Sequence, residues 1–149
     1  GRGIDYGFVG DIDKVDVSFF QSLLNQDLTI VVAPIMHDGN GQLLNTNADT
    51  VAQEIAKALS HDYDVNLIYS FEKNGVLENA ADDATLLKKI SSEKFKKMKA
   101  DGAIFAGMIP KLDSAFAALN DGVKKVIIGK AENIRELIRG ETGTTIIND

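Results

Sequence analysis

Apolar residues recur along the chain in two rhythms, one with the three-to-four spacing of a helix face and one of short β-branched runs. Phe19, Phe20, Leu23 and Leu24 follow the first and predict a helix from Val17 to Leu24; Leu28-Thr29-Ile30-Val31-Val32-Ala33 follows the second and predicts a strand. His37-Asp38-Gly39-Asn40-Gly41 is turn chemistry, since Gly and Asn accept positive φ, and Leu43-Leu44 can resume as the second arm of a hairpin. Asn47 reads as the N-cap of a helix from about Ala48 to Leu59, whose Val51, Ile55 and Leu59 recur at i, i+4 and i+8. Val65 to Phe71 reads as a buried strand, Asn74-Gly75 as a turn, and Ser92 to Ala100 as a lysine-rich surface helix ended by Gly102. After the short apolar run Ala103-Ile104-Phe105, Pro110 opens a helix to about Leu119, with Ala115, Phe116 and Leu119 inward and Gly122 just past its end. Val126-Ile127-Ile128 is a further strand, Glu132 to Arg139 a helix ended by Gly140, and Thr144 to Ile147 a last strand.

Helix-to-strand connections repeated in this way need crossovers. The expected fold class is α/β: a three-layer sandwich, with a mostly parallel open sheet and helices on both faces. No repeat, low-complexity tract or linker interrupts residues 1–149, which read as a single domain. Sheets of this kind bind ligands beyond the carboxyl ends of their strands.

Composition narrows the chemistry. The 149 residues carry 16 basic and 22 acidic side chains, a net charge of −6, which disfavours a nucleic-acid partner. Hydrophobic residues at 44% suffice for a real core, but no run approaches the roughly 20 apolar residues of a membrane span. No basic segment followed by an apolar run opens the chain, so a cytoplasmic location and no membrane partner are expected. Cysteine is absent, which excludes disulfides, thiolate metal sites and thiol nucleophiles. Neither His37 nor His61 stands in a metal-ligand spacing; both read as solvated loop residues, and no metal site of the protein's own is expected. There is no G-x-x-x-x-G-K-[ST] loop, no G-x-G-x-x-G and no G-x-S-x-G elbow.

Two helix starts remain. Asn45, Asn47 and Asp49 fall at alternate positions where an extended segment enters a helix, more polar groups than capping alone needs. Asp49 also has an ordinary reading, as a first-turn carboxylate favoured by the helix dipole at roughly 0.3–1 kcal/mol. In Gly107-Met108-Ile109-Pro110-Lys111 a cation occupies the first turn, where the dipole disfavours it. That placement makes sense if an anion sits there too.

At these residues the sequence resembles the amino acid kinase family, in particular the C-terminal, nucleotide-binding half of its N-acetylglutamate kinases. The matching pieces are Gly7-Phe8-Val9-Gly10, Gly41-Gln42-Leu43-Leu44-Asn45-Thr46-Asn47-Ala48-Asp49, Gly75-Val76-Leu77, Gly107-Met108-Ile109-Pro110-Lys111 and Gly143-Thr144, in the family's order over nearly the whole chain. The resemblance implies ATP-dependent phosphorylation of the side-chain carboxylate of N-acetylglutamate, or of another N-acylglutamate, to an acyl phosphate in arginine synthesis. It implies ATP with Mg²⁺ held mainly by the nucleotide phosphates, an N-acylated glutamate as the second substrate, and a homo-oligomer for the full-length enzyme.

By motif, Asn45 and Asn47 correspond to substrate-holding amides, Asp49 to the carboxylate that orients lysines, and Lys111 to the lysine that meets charge on the phosphoryl group. Glu72, Lys73, Asn74, Gly75, Val76 and Leu77, with Ala103, Ile104, Phe105, Gly107 and Met108, correspond to the nucleotide-holding segments. Glu72 stands where the family usually has Asp. The family's other half carries a further lysine and paired glycines that cradle phosphates; this chain has no Gly-Gly pair, so the isolated 149 residues are expected to be inactive. A catalytically silent nucleotide-binding or assembly module with the same fold is the alternative. The chemistry fits the first reading, because an ionised carboxylate needs no general base and phosphoryl transfer asks mainly for positioning and positive charge.

Overall fold

Among the described residues, three of the five α-helices begin where a side chain satisfies free backbone N–H groups. In the computed structural model, which describes residues 6–79, 81–104 and 106–148, Asp16 accepts from the Phe19 N–H to open α1 (Val17–Leu24). Asn47 accepts from the N–H groups of Asp49 and Thr50 to open α2 (Ala48–Leu59), and Ser91 from that of Lys94 to open α3 (Ser92–Ala100). Pro110 stands in the first turn of α4 (Ile109–Asn120). The last helix, α5 (Ile134–Arg139), starts later than its sequence pattern suggests because residues Ala131–Asn133 form a 3₁₀ turn first.

Strands β1 (Ile35–His37) and β2 (Leu43–Asn45) form an antiparallel hairpin, whose second arm is the expected one and whose first arm takes in His37, expected in the turn. The main sheet runs β3 (Asn66–Phe71), β5 (Lys125–Lys130), β6 (Thr144–Ile147), β4 (Lys89–Ser91). Its β3/β5 and β4/β6 pairings are parallel and β5/β6 is antiparallel, so the sheet is mixed but mostly parallel. Helices cover both faces. Along β5, Val126 and Ile128 join the core with Leu112, Ala115 and Phe116 of α4, whereas Gly129 faces Leu137 of α5, which would collide with any side chain there. Leu112 is wholly buried, a burial worth about 1.5–3 kcal/mol, and it fixes the inner face of α4.

One expected strand is absent and one strand was not expected. Leu28–Ala33 is not a strand: β-branched residues favour extended backbone but need a hydrogen-bonded neighbour, and here Val31 stands 92% exposed. Conversely, the three-residue β4 has too little apolar pattern to be seen in the sequence and exists through its pairing with β6.

Helices α2 and α4 lie side by side and point the same way. Asp49 and Lys111 meet at their starts, and Lys57 and Asp121 meet, at 2.9 Å, where they end. Because α2 leads into β3 and α4 into β5, both helix N-termini lie toward the carboxyl ends of those two parallel strands.

Candidate functional site

At that end of the sheet the Lys111 ammonium lies 2.6 Å from Asp49 Oδ2, across 62 residues of sequence. The side chains are 19% and 34% exposed, so the pair is screened on one side and open on the other. A lysine in a first turn opposes its own helix dipole, and the anion this requires is supplied in part by the α2 carboxylate. Beneath the pair lies Tyr69 of β3, only 3% exposed, with its ring centroid 5.8 Å from Lys111 Nζ. Its hydroxyl donates to the Asp49 carbonyl at 3.3 Å. Burial, and then the Asp49 and Glu54 carboxylates, push the phenol well above its ordinary pKa, so it stays neutral.

Beyond β3 the chain folds around a pocket of about 290 Å³. Phe71, Glu72, Lys73, Gly75, Val76 and Leu77 form one wall; Ile104 and Met108 form the other. Met108 is three residues before Lys111, so this wall of the pocket stands about one helical turn from the ion pair. The wall at Gly75–Leu77 is fastened by Thr144, a wholly buried polar side chain, which accepts from the Val76 N–H at 2.8 Å and donates to the Leu87 carbonyl at 2.6 Å. Gly75 is required by that closeness, since a Cβ there would stand 2.5 Å from Thr144 Oγ1. Leu77 and Leu86 pair across the same small hairpin.

The residues singled out in the sequence therefore divide. Glu72, Lys73, Gly75, Val76, Leu77, Ile104 and Met108 share the pocket, and Asp49 and Lys111 share the ion pair. Lys73 Nζ turns to Asp83, 3.3 Å away, at the surface. Asn74 and Gly107 do not line the pocket, and Ala103 opens on a different recess beside Lys94 and Met98. Phe105 lies outside the described residues. Asn47 spends its carbonyl oxygen on the cap, which leaves only its amide N–H groups for a ligand. Asn45 is exposed on β2, where its backbone bonds to Phe8 and Gly10; this brings the Gly7-Phe8-Val9-Gly10 segment alongside. Tyr69 and Phe71 were missed, and Thr144, part of the matching Gly143-Thr144 pair, was given no role. The alternation Leu67, Tyr69, Phe71 could have shown the first two on one face, whereas the contacts of Thr144 lie 57 and 68 residues away.

Thr144→Val is expected to strand a buried N–H and carbonyl, costing about 1–3 kcal/mol and lowering the melting temperature by several degrees. Thr144→Ser should restore most of it. Because the stranded N–H belongs to the pocket wall, amide hydrogen exchange at Val76 and Leu77 should quicken in the valine variant and not in the serine one. Equal exchange in the two variants would separate Thr144 from the pocket wall.

A mostly parallel sheet with helices on both faces defines an α/β protein, and its cation and pocket lie toward the carboxyl ends of parallel strands, where such folds place their sites. The chain belongs to the amino acid kinase family, whose sequence profile matches residues 1–130. It is 52% identical over 137 residues to the acetylglutamate kinase of Cytophaga hutchinsonii, covering 92% of this chain and 52% of that protein. It is 49% identical over 135 residues to that of Phocaeicola vulgatus, covering 91% and 52%. The crystal structure of a Streptococcus mutans protein, smu.665, superimposes with a TM-score of 0.77 at 34% identity, covering 97% of this chain and 53% of that one. The chain thus spans about half the length of the curated relatives it matches. Among the described residues no helix is long and apolar enough to cross a membrane.

Proposed function

We propose that this chain supplies the nucleotide-binding half of an enzyme that transfers the terminal phosphoryl group of ATP to the side-chain carboxylate of N-acetylglutamate, or of another N-acylglutamate, as a step of arginine synthesis. The observation that carries this reading is the shared pocket of residues 71–73, 75–77, 104 and 108, whose Met108 stands about one helical turn from Lys111 at the start of α4. Its walls are largely apolar, as a purine requires, and the cation and two helix N-termini lie where phosphates would follow. The acetylglutamate kinases above support the choice of acceptor.

In this reading the purine lies between Val76, Leu77 and Met108, and the phosphates run toward Lys111. The acceptor carboxylate is already ionised near neutral pH, so no base is required. Lys111 meets the charge that grows on the equatorial oxygens during transfer, and Asp49 holds the ammonium in place. Mg²⁺ would be held by the nucleotide's phosphates, while the Asp49 carboxylate pairs with Lys111. Asn45 holds the acylated amino acid.

Two measurements test this. Calorimetric titration of the 149-residue chain with ATP and Mg²⁺ should show binding, with no phosphorylation of N-acetylglutamate by this half alone. A full-length protein containing the sequence should form acyl phosphate from ATP and N-acetylglutamate, trapped as the hydroxamate by hydroxylamine. Nucleotide binding without hydroxamate in the full-length protein would instead identify a silent binding module.

A further inference from the structure

We propose that Tyr69 is a positioning residue for Lys111: its ring carries the ammonium, and its hydroxyl anchors the helical turn that presents Asp49. The inference rests on the reading of Lys111 as the cation that meets the transferred phosphoryl group.

An inward position on a buried strand is ordinarily filled by an aliphatic residue, as at Leu67 two positions earlier in β3. A tyrosine there brings a hydroxyl that must find a partner, and it finds the Asp49 carbonyl in the first turn of α2. The same ring lies at cation–π distance from Lys111 Nζ, 5.8 Å from centroid to nitrogen. Lysine is a point charge on a flexible four-carbon stem with many rotamers. Here the ammonium has a carboxylate oxygen at 2.6 Å and an aromatic face beneath it, two contacts that select one placement before any substrate arrives. Tyr69 thus touches both partners of a pair whose members come from different helices, and it does so from the sheet, the rigid layer under both. Its elevated pKa keeps the hydroxyl a donor throughout the working range and excludes it as a proton carrier.

Ring and hydroxyl can be separated. Tyr69→Phe keeps the aromatic face and loses the anchor; Tyr69→Leu loses both. NMR of the lysine side chains in the 149-residue chain, with Lys111 assigned through Lys111→Arg, reads the placement directly. The wild type should give nuclear Overhauser contacts between the Tyr69 ring and the Lys111 Hε protons, together with a ring-current displacement of those protons. The displacement should persist in Tyr69→Phe and vanish in Tyr69→Leu. In the full-length enzyme kcat should fall about threefold in Tyr69→Phe and about tenfold in Tyr69→Leu, with the KM for ATP within about twofold of wild type.

A residue that only fills the core would lower the melting temperature of both variants and leave the Lys111 signals alone. Identical Lys111 signals in all three proteins would overturn the proposal, as would an unchanged kcat in Tyr69→Leu. Absence of the wild-type ring-to-Hε contacts would do so too, and that measurement needs no variant to fold. If the full-length wild type does not phosphorylate N-acetylglutamate, yet the Lys111 side chain holds one rotamer in the wild type and averages among rotamers in Tyr69→Leu, the positioning stands and the substrate assignment fails.

Discussion

Lys111→Met in a full-length enzyme containing this sequence should lower kcat by about 10²–10³, the usual cost of removing one electrostatic stabiliser of a transition state. The KM for the N-acylated amino acid should change little, because the charge that Lys111 meets grows during transfer and is small in the ground state. The geometry predicts that this loss is not a folding defect. Lys111 is 19% exposed and its partner Asp49 34% exposed, so water can replace the ammonium around the orphaned carboxylate. Steady-state kinetics beside a thermal melt decide the matter. A normal kcat with a lowered melting temperature would make the pair a helix-to-helix clamp and remove Lys111 from the chemistry.

The second large effect is expected at Asp49, whose two possible roles differ in size. As a first-turn carboxylate in a partly exposed ion pair it is worth about 1 kcal/mol or less of stability. As the group that holds the Lys111 ammonium 2.6 Å away, it sets where that charge stands. Asp49→Asn is nearly isosteric and preserves the helix start, since the cap belongs to Asn47. It releases the ammonium from its carboxylate partner and lifts the repulsion between Asp49 and nucleotide phosphates. ATP binding should therefore be unchanged or tighter, while kcat falls about 100-fold, as a displacement of about 1 Å can cost. Rapid-quench measurement of the transfer step, set beside the calorimetric affinity for ATP, tests both halves of the expectation. Loss of ATP affinity with an unchanged transfer rate would overturn it.

Much of the site could be read from the sequence because its parts are helix starts and turns. The Asn45 to Asp49 run, the Pro110-Lys111 pair and the Gly75 turn are each decided by residues within a few positions of one another. The uncomfortable place of Lys111 at a helix N-terminus was itself informative, since it called for an anion. The resemblance implied that Asp49 orients lysines, but no local pattern could show that it reaches Lys111. The contact with Asp49 spans 62 residues and depends on α2 and α4 lying parallel, which follows from the pairing of β3 with β5. The pocket shows the same division: its two walls could be suspected separately, but their closing on one volume required the sheet.

The sequence by itself determined the bounds of α1 to α4 to within a residue and the stop of α5, the glycine turn at residues 39–41, the inward-facing Ala115 and Phe116 of α4, and the family. Caps, turn residues and side-chain periodicity act over one or two turns of chain and need no distant partner. Only the tertiary structure decided that Leu28–Ala33 is not a strand and that Lys89–Ser91 is one, because a strand exists only beside a neighbour. It also assigned work to Tyr69 and Thr144. Both look like ordinary strand residues, and their hydrogen bonds, to the carbonyl of Asp49 and to the backbone of Val76 and Leu87, join segments that the chain brings together only when folded.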